Sequence, residues 1–210
     1  MNYANELGLI CFSSPFDYSA VDFLENLNVP AYKIASFEIT DIPLIEYVAS
    51  KNKPVIISTG IATLAEIEEA ISACRRMGNE QIILLKCTSS YPAKIEDANL
   101  LTMKNMKETF SVYVGLSDHT LGTTVPITAV AMGARVIEKH LILDKSLGGP
   151  DASFSLDGRE FKNMVTAVRQ AEKSIGKVDY QLTEDKRKSR ILSRSLFVVK
   201  DIKKRRKIYK

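Results

Sequence analysis

The chain has 210 residues, 45% hydrophobic and 26% charged, which is enough apolar content for one good-sized core of ordinary soluble composition. No run of about 18 apolar residues exists, which excludes a spanning helix. The net charge of +4 is uneven: residues 186–210 hold twelve Lys/Arg against Asp201 alone, a balance of +11 that leaves −7 for the rest.

The start, MNYANELGL, lacks the basic flank and apolar core of a secretory signal. It reads as the last turn of a helix running into a strand, so the chain is expected to begin in the middle of a fold. LICFSS (9–14) is the first predicted strand and SAVDFLENLN (19–28) the first helical pattern, with apolar Val21, Leu24 and Leu27. AYKIAS (31–36) is the next strand, followed by a helix over 42–52. PVIIST (54–59) precedes a helix over 63–78, opened by a threonine N-cap and closed by Gly78. QIILLKCT (81–88), VYVGLSD (112–118) and RVIEKHLIL (135–143) read as further strands, with helices over 121–134 and 156–176. Residues 177–190 are polar and linker-like, and RSLFVVKDI (194–202) reads as a strand opening something new. The basic tail has no aromatic interleaving and no nucleic-acid motif, so it reads as a solvated tail or interdomain linker. Cys11, Cys74 and Cys87 form no CxxC pair. They read as small buried hydrophobes in a reducing cytosol, the expected compartment.

Strand, helix, strand at roughly 25-residue spacing is the pattern of a parallel sheet buried on both faces. A doubly wound sheet would carry a glycine-rich fingerprint after its first strand, and none is present. Most of the strands instead end in polar groups: Ser13 and Ser14; Ser36 and Glu38; Ser58 and Thr59; Thr88, Ser89 and Ser90; Ser117, Asp118 and His119; His140. In a (β/α)8 barrel such ends meet at one rim, where active sites lie. The expected fold is an α/β, TIM-type barrel, here incomplete with about six βα units over residues 1–176.

The chain's two histidines, His119 and His140, fall on adjacent strand ends. Neighbouring strands lie ~4.7–4.9 Å apart, a gap that two imidazoles on one divalent ion can bridge. With no third side-chain ligand nearby, such a site keeps open positions, as catalytic metal sites do. Asp118 and Glu138 are expected on the other strand face, orienting the ligands. Lys33 with Ser14, Ser36, Ser58, Ser89 and Ser117 would suit a phosphate monoester. Lys86 is a second candidate cation, and a salt bridge inside the barrel is the alternative for either lysine. Glu38 could hold substrate or carry protons, or simply complement a helix start. Asp151, in the glycine-rich loop LGGPDASFS, could act from a lid or be a turn aspartate. Tyr91 could close a sugar pocket or simply pack. A lysine Schiff-base aldolase using Lys33 or Lys86, and a non-catalytic binding remnant, stay open beside the metal reading.

FSSPFD, YKIASFEITD, KPVIISTG, KCTSSYP, GLSDHT, EKH and GGPDASFS, in this order over residues 7–202, resemble the sialic acid synthase family of nonulosonic acid synthases. SFE and the PDASFS loop are most similar to its pseudaminic acid synthase branch; N-acetylneuraminate and legionaminic acid synthases are the alternatives. The resemblance implies a cytoplasmic transferase that condenses phosphoenolpyruvate with an N-acylated (acetamido-deoxy) amino sugar in its open-chain aldehyde form, releasing phosphate. A divalent metal, Mn2+ or Mg2+, would sit on His119 and His140. Lys33 and the five serines would hold the phosphate, and Glu38, Tyr91 and Asp151 would face the sugar. Ser89 stands where sialic acid synthases carry asparagine. The resemblance further implies two βα units before FSSPFD and a small C-terminal antifreeze-like domain that caps the partner's site in a homodimer. On that basis the chain is expected to be a fragment, with 177–210 as linker and the start of that domain. Arg205 and Arg206 stand where KDIKKGE is usual.

Overall fold

The computed structural model of the chain describes residues 1–201. They fall into two units, Met1–Ile175 and a second beginning at Gly176. The first unit is built on five parallel strands in sequence order: β1 Tyr32–Ile34, β2 Val55–Ser58, β3 Ile82–Cys87, β4 Tyr113–Asp118 and β5 Ile137–Lys139. The sheet is part of a (β/α) barrel, curled but incomplete.

The helices follow their sequence signals. α1 is a single short piece, Asn2–Glu6. α2 Tyr18–Asn26 starts at Asp17, whose carboxylate accepts from Ala20 N–H at 2.7 Å. α3 Ile42–Ala49 starts at Asp41, and α4 Leu64–Arg76 opens with a reciprocal Thr63–Glu66 capping box. Gly78, at φ +77°, ends α4 where a side chain would be strained. α6 Thr124–Ala131 and α7 Gly158–Ile175 lie inside their expected ranges. Between β3 and β4 the structure adds α5 Leu101–Phe110, to which the sequence reading assigns nothing. Met103, Met106 and Phe110 are its buried stripe.

Two expected strands do not form. Of LICFSS only Ser13 pairs, in an isolated bridge to Tyr32, with Lys33 N–H donating to Ser13 O at 3.3 Å. Leu9 and Ile10 are exposed. The segment meets β1 only at that one bridge. Residues 194–201 carry no strand either, and Ile202 lies outside the described residues. The basic stretch 203–210 lies there too.

The sheet has two chemically distinct faces. Tyr32, Ile34, Val55, Ile57, Ile82, Leu84, Val114 and Leu116 bury against the apolar stripes of α2 to α6 and form the core. The opposite face carries rows set by the register: Lys33 beside Ile56; Ser58, Leu85 and Gly115; Cys87, Ser117 and Glu138. Gly115 is required there, because a Cβ would lie 2.4 Å from the Val136 carbonyl and 2.7 Å from Leu85 Cδ2. The second unit contains α8 Glu184–Ser189, and its described residues are exposed. No helix of the described residues is long and apolar enough to cross a membrane.

Candidate active site

At the C-terminal end of the strands a cavity of about 330 Å³ is lined by Ser14, Lys33, Ser36, Ser58, Tyr91, Ser117, His119 and His140, together with Ala35, Phe37, Cys87 and Glu138. Eight of the eleven expected site residues therefore gather in one place. Seven of them come from five successive strand ends, as a barrel rim requires, and Ser14 comes from the segment before α2.

His119 ends the corner after β4. Its Nδ1 lies 3.0 Å from the Thr88 carbonyl and 3.8 Å from Cys87 Sγ. A carbonyl can only accept, so Nδ1 carries the proton and Nε2 keeps a free lone pair in the neutral ring. The His140 ring is 5.2 Å from His119, centroid to centroid, and its Nδ1 is 3.4 Å from Asp151 Oδ2. Two imidazoles bound to one ion at ~2.0–2.1 Å per nitrogen sit with centroids roughly 4.5–5.5 Å apart. The pair therefore fits a shared divalent cation. Among the described residues no group of three His, Cys, Asp or Glu gathers as a complete ligand set.

Burial opposes charge on His119, but the Cys87 thiol and the Thr88 carbonyl outweigh it and raise its pKa. Burial, then the His119 charge, lower that of His140. For the Cys87 thiol, burial pushes up, yet contacts with His119, Ser36 and Ser117 bring it below its ordinary value.

Four of the serines expected at an anion site, Ser14, Ser36, Ser58 and Ser117, share the cavity with Lys33, the one lysine or arginine lining it among the described residues. Its Nζ lies 3.6 Å from Glu138 Oε2, and Glu138 Oε1 accepts from Ser117 Oγ at 2.6 Å. Gly60 N–H donates to Ser36 Oγ at 3.1 Å. Any Cβ on Gly60 would fall 2.1 Å from Ser89 Oγ and 2.8 Å from Ser36 Oγ, so this glycine keeps the hydroxyls together. Ser58 Oγ, Ser89 Oγ and Glu38 Oε2 are buried without a hydrogen-bond partner among the described residues. Each such orphan costs about 1–3 kcal/mol unless something polar arrives.

Three expectations need correcting. Glu138 shares the cavity face with His140, because residues two apart on a strand point the same way. Asp118 does turn to the other face, where it pairs with Lys139. Lys86 does not line the cavity: its Nζ donates to the Cys87 carbonyl and Thr88 Oγ1, and burial lowers its pKa. Cys87 is buried as expected but also lines the cavity, so it is more than a small hydrophobe.

Ser89, Glu38 and Asp151 do not line the cavity, although Ser89 Oγ lies near Ser36 Oγ at Gly60 and Asp151 reaches His140. Asp151 belongs to the loop after β5, tied by Ser155 Oγ donating to its carbonyl at 2.7 Å. That loop buries Phe154 against Tyr91, His119 and His140, with ring centroids 5.6, 6.1 and 5.0 Å away. Tyr91 packs against His119 with ring centroids 4.4 Å apart and planes tilted by 49°, and burial raises its pKa. Phe37, Cys87 and Glu138 line the cavity although the sequence reading did not place them there, and Phe154 packs behind the two histidines without lining it. Spacing could have found Glu138; nothing in the local sequence marks Phe154 as a wall behind both histidines.

A family model described as the NeuB family matches residues 1–180. The pseudaminic acid synthase of Helicobacter pylori is 53% identical over 202 residues, which is 96% of this chain and 59% of that protein. The N,N'-diacetyllegionaminic acid synthase of Campylobacter jejuni is 42% identical over 205 residues, 96% of this chain and 61% of that protein. Among solved structures, the N-acetylneuraminic acid synthetase of Leptospira borgpetersenii in complex with citrate superposes with a TM-score of 0.84. It has 33% identity over 91% of this chain and 67% of that one. The chain thus spans about three-fifths of the length of the curated relatives it matches.

Proposed function

The chain belongs to the NeuB family, and on that premise we propose that it carries most of the catalytic rim of a nonulosonic acid synthase of the pseudaminic acid type. The reaction joins carbon 3 of phosphoenolpyruvate to the aldehyde carbon of an acetamido-deoxy sugar. Water adds at carbon 2, and the C–O bond to phosphate breaks, releasing inorganic phosphate. The observation that carries the reading is the convergence of two imidazoles, one cavity lysine and buried hydroxyls without partners on one rim.

The residues divide the work. Lys33, with Ser14, Ser36, Ser58, Ser89 and Ser117, binds the phosphate; Lys33 gives up Glu138 as its partner when the anion arrives. The hydroxyls of Ser58 and Ser89 gain the acceptor they lack. His119 and His140 would hold a divalent cation, with the Thr88 carbonyl and Asp151 at the Nδ1 atoms of the two rings. A divalent cation bound there supplies Lewis-acid polarisation of the aldehyde oxygen. Glu38 moves a proton at the sugar, and Tyr91 and Asp151 bound the sugar side. Phe37, exposed at the mouth, offers an apolar face to ring carbons. The pseudaminic branch is favoured over the legionaminic one by 53% against 42% identity. Residues 177–210 are read as a linker and the start of a second domain. The whole protein is read as a cytoplasmic homodimer acting without nucleic acid or membrane.

The test is product analysis. Purified protein, phosphoenolpyruvate, Mn2+ and a panel of acetamido-deoxy hexoses are expected to give phosphate and a nine-carbon acid, by mass spectrometry, with the pseudaminic precursor preferred. A substrate trapped on Lys33 by borohydride would instead establish the Schiff-base reading, since Lys33 is the lysine that reaches the cavity. Mn2+ binding without turnover, in this chain and in one extended to its relatives' length, would leave a binding protein.

A further inference from the structure

We propose that the buried Asp118–Lys139 ion pair is the device that sets the spacing of the two imidazoles, which makes both residues positioning residues for the cation site. The inference rests on the reading of His119 and His140 as cation ligands.

Asp118 and Lys139 are register partners, and they are the last pair of a β4–β5 ladder only three pairs long. Each directly precedes a candidate ligand. Their side chains point to the opposite face from the imidazoles, are 2% and 1% exposed, and meet at 2.6 Å. The pair is tied to the far side of His119 as well. Asp118 Oδ1 accepts from Thr120 N–H at 3.0 Å and from Thr120 Oγ1 at 2.8 Å, and Lys139 Nζ donates to the Thr120 carbonyl. His119 is thus gripped between two residues that are both bound to the residue preceding His140. The Ala93 N–H, donating to the His119 carbonyl at 3.0 Å, completes the corner.

His140 has no comparable hold on its ring. Its polar neighbour is the exposed carboxylate of Asp151 at 3.4 Å. The His140 backbone carbonyl accepts from Leu156 N–H at 2.9 Å and its ring packs on Phe154, but the tie from its strand to the His119 corner runs through Lys139, the residue before it. Stability alone does not explain the pair. Apolar residues of similar volume often serve a core as well as a desolvated ion pair does, and the attested use of such pairs is to fix register.

The experiment titrates Mn2+ alone into the whole chain by calorimetry, alongside thermal unfolding. The double variant Asp118→Asn/Lys139→Met leaves no unpaired buried charge and keeps an acceptor for Thr120. It is expected to melt near the parent and to bind Mn2+ about 10–100-fold more weakly, as loss of a supporting contact around a metal ligand does. The visible spectrum of bound Co2+ should change with it. A folded double variant with parental Mn2+ affinity and an unchanged Co2+ spectrum overturns the proposal. If the double variant does not fold, Lys139→Arg keeps the charge but alters its reach: folded with weakened Mn2+ binding, it supports the assignment. Parental binding in Lys139→Arg overturns it, as does its failure to fold, since a pair that tolerates no change is a folding element. A parent chain that binds no Mn2+ sinks the cation reading itself, a separate result from parental affinity in the variants.

Discussion

Lys33 is the residue on which the proposed anion half of the site turns. It is buried, it is the one lysine or arginine lining the cavity among the described residues, and it lies 3.6 Å from Glu138. Lys33→Met is expected to raise the KM for phosphoenolpyruvate tenfold or more while moving the sugar KM little, in steady-state kinetics of a chain that turns over. An equal rise in both would place Lys33 elsewhere. At this scale the sequence was legible where strand alternation and strand ends sufficed: Ser36, Ser58, Ser117 and both histidines are where polar tips of a parallel sheet must meet. It was not legible for Phe154, whose burial against Tyr91 and both imidazoles depends on how a loop folds back, and no local pattern encodes that. Cys87 lies between these cases: its apolar strand hid a thiol that the register sets beside Ser117.

The elements show the same division. Gly115 lies in the middle of β4 on the cavity face, and Gly115→Ala should cost about 1–3 kcal/mol by chemical denaturation, as overpacking does. No loss would mean that Val136 and Leu85 give way more freely than their contacts imply. At the other end of the sheet, Glu25 of α2 accepts from the buried Tyr32 hydroxyl at 2.6 Å and from Lys53 at 3.0 Å. The Tyr32 hydroxyl first, and then Lys53, hold its carboxyl below the ordinary 4.5. A depressed folded-state pKa means that this stabilisation is present above pH 4.5 and is lost as pH falls through the lower folded value. The melting-temperature gap between the parent and Glu25→Gln should therefore be open near pH 6 and narrow as pH falls below 4.5. A gap that does not change with pH would remove the ionic contribution. Helices with caps, such as α4, could be read from the sequence. α5 could not: it has no side-chain cap and only three buried residues in ten. LICFSS misled because its apolar, β-prone composition does not show that only Ser13 meets β1 and that Leu9 and Ile10 stay exposed.

For the whole molecule, the change in composition after Gly176 marked a boundary that the contacts place at Ile175–Gly176. Limited trypsin digestion should cut first among Lys177, Lys186, Arg187, Lys188, Arg190 and Arg194, all exposed, and leave a core of about 175 residues. Early cuts within β1–β5 would contradict the fold. The barrel was legible because its evidence is repeated in every βα unit, whereas nothing so repetitive marks 194–201. The account as a whole depends on one cation being shared across β4 and β5. Its most direct test is Mn2+ stoichiometry, measured by equilibrium binding on the parent, His119→Ala and His140→Ala. One ion per chain in the parent, lost from both variants, is the predicted result. A full ion retained by either variant would contradict it.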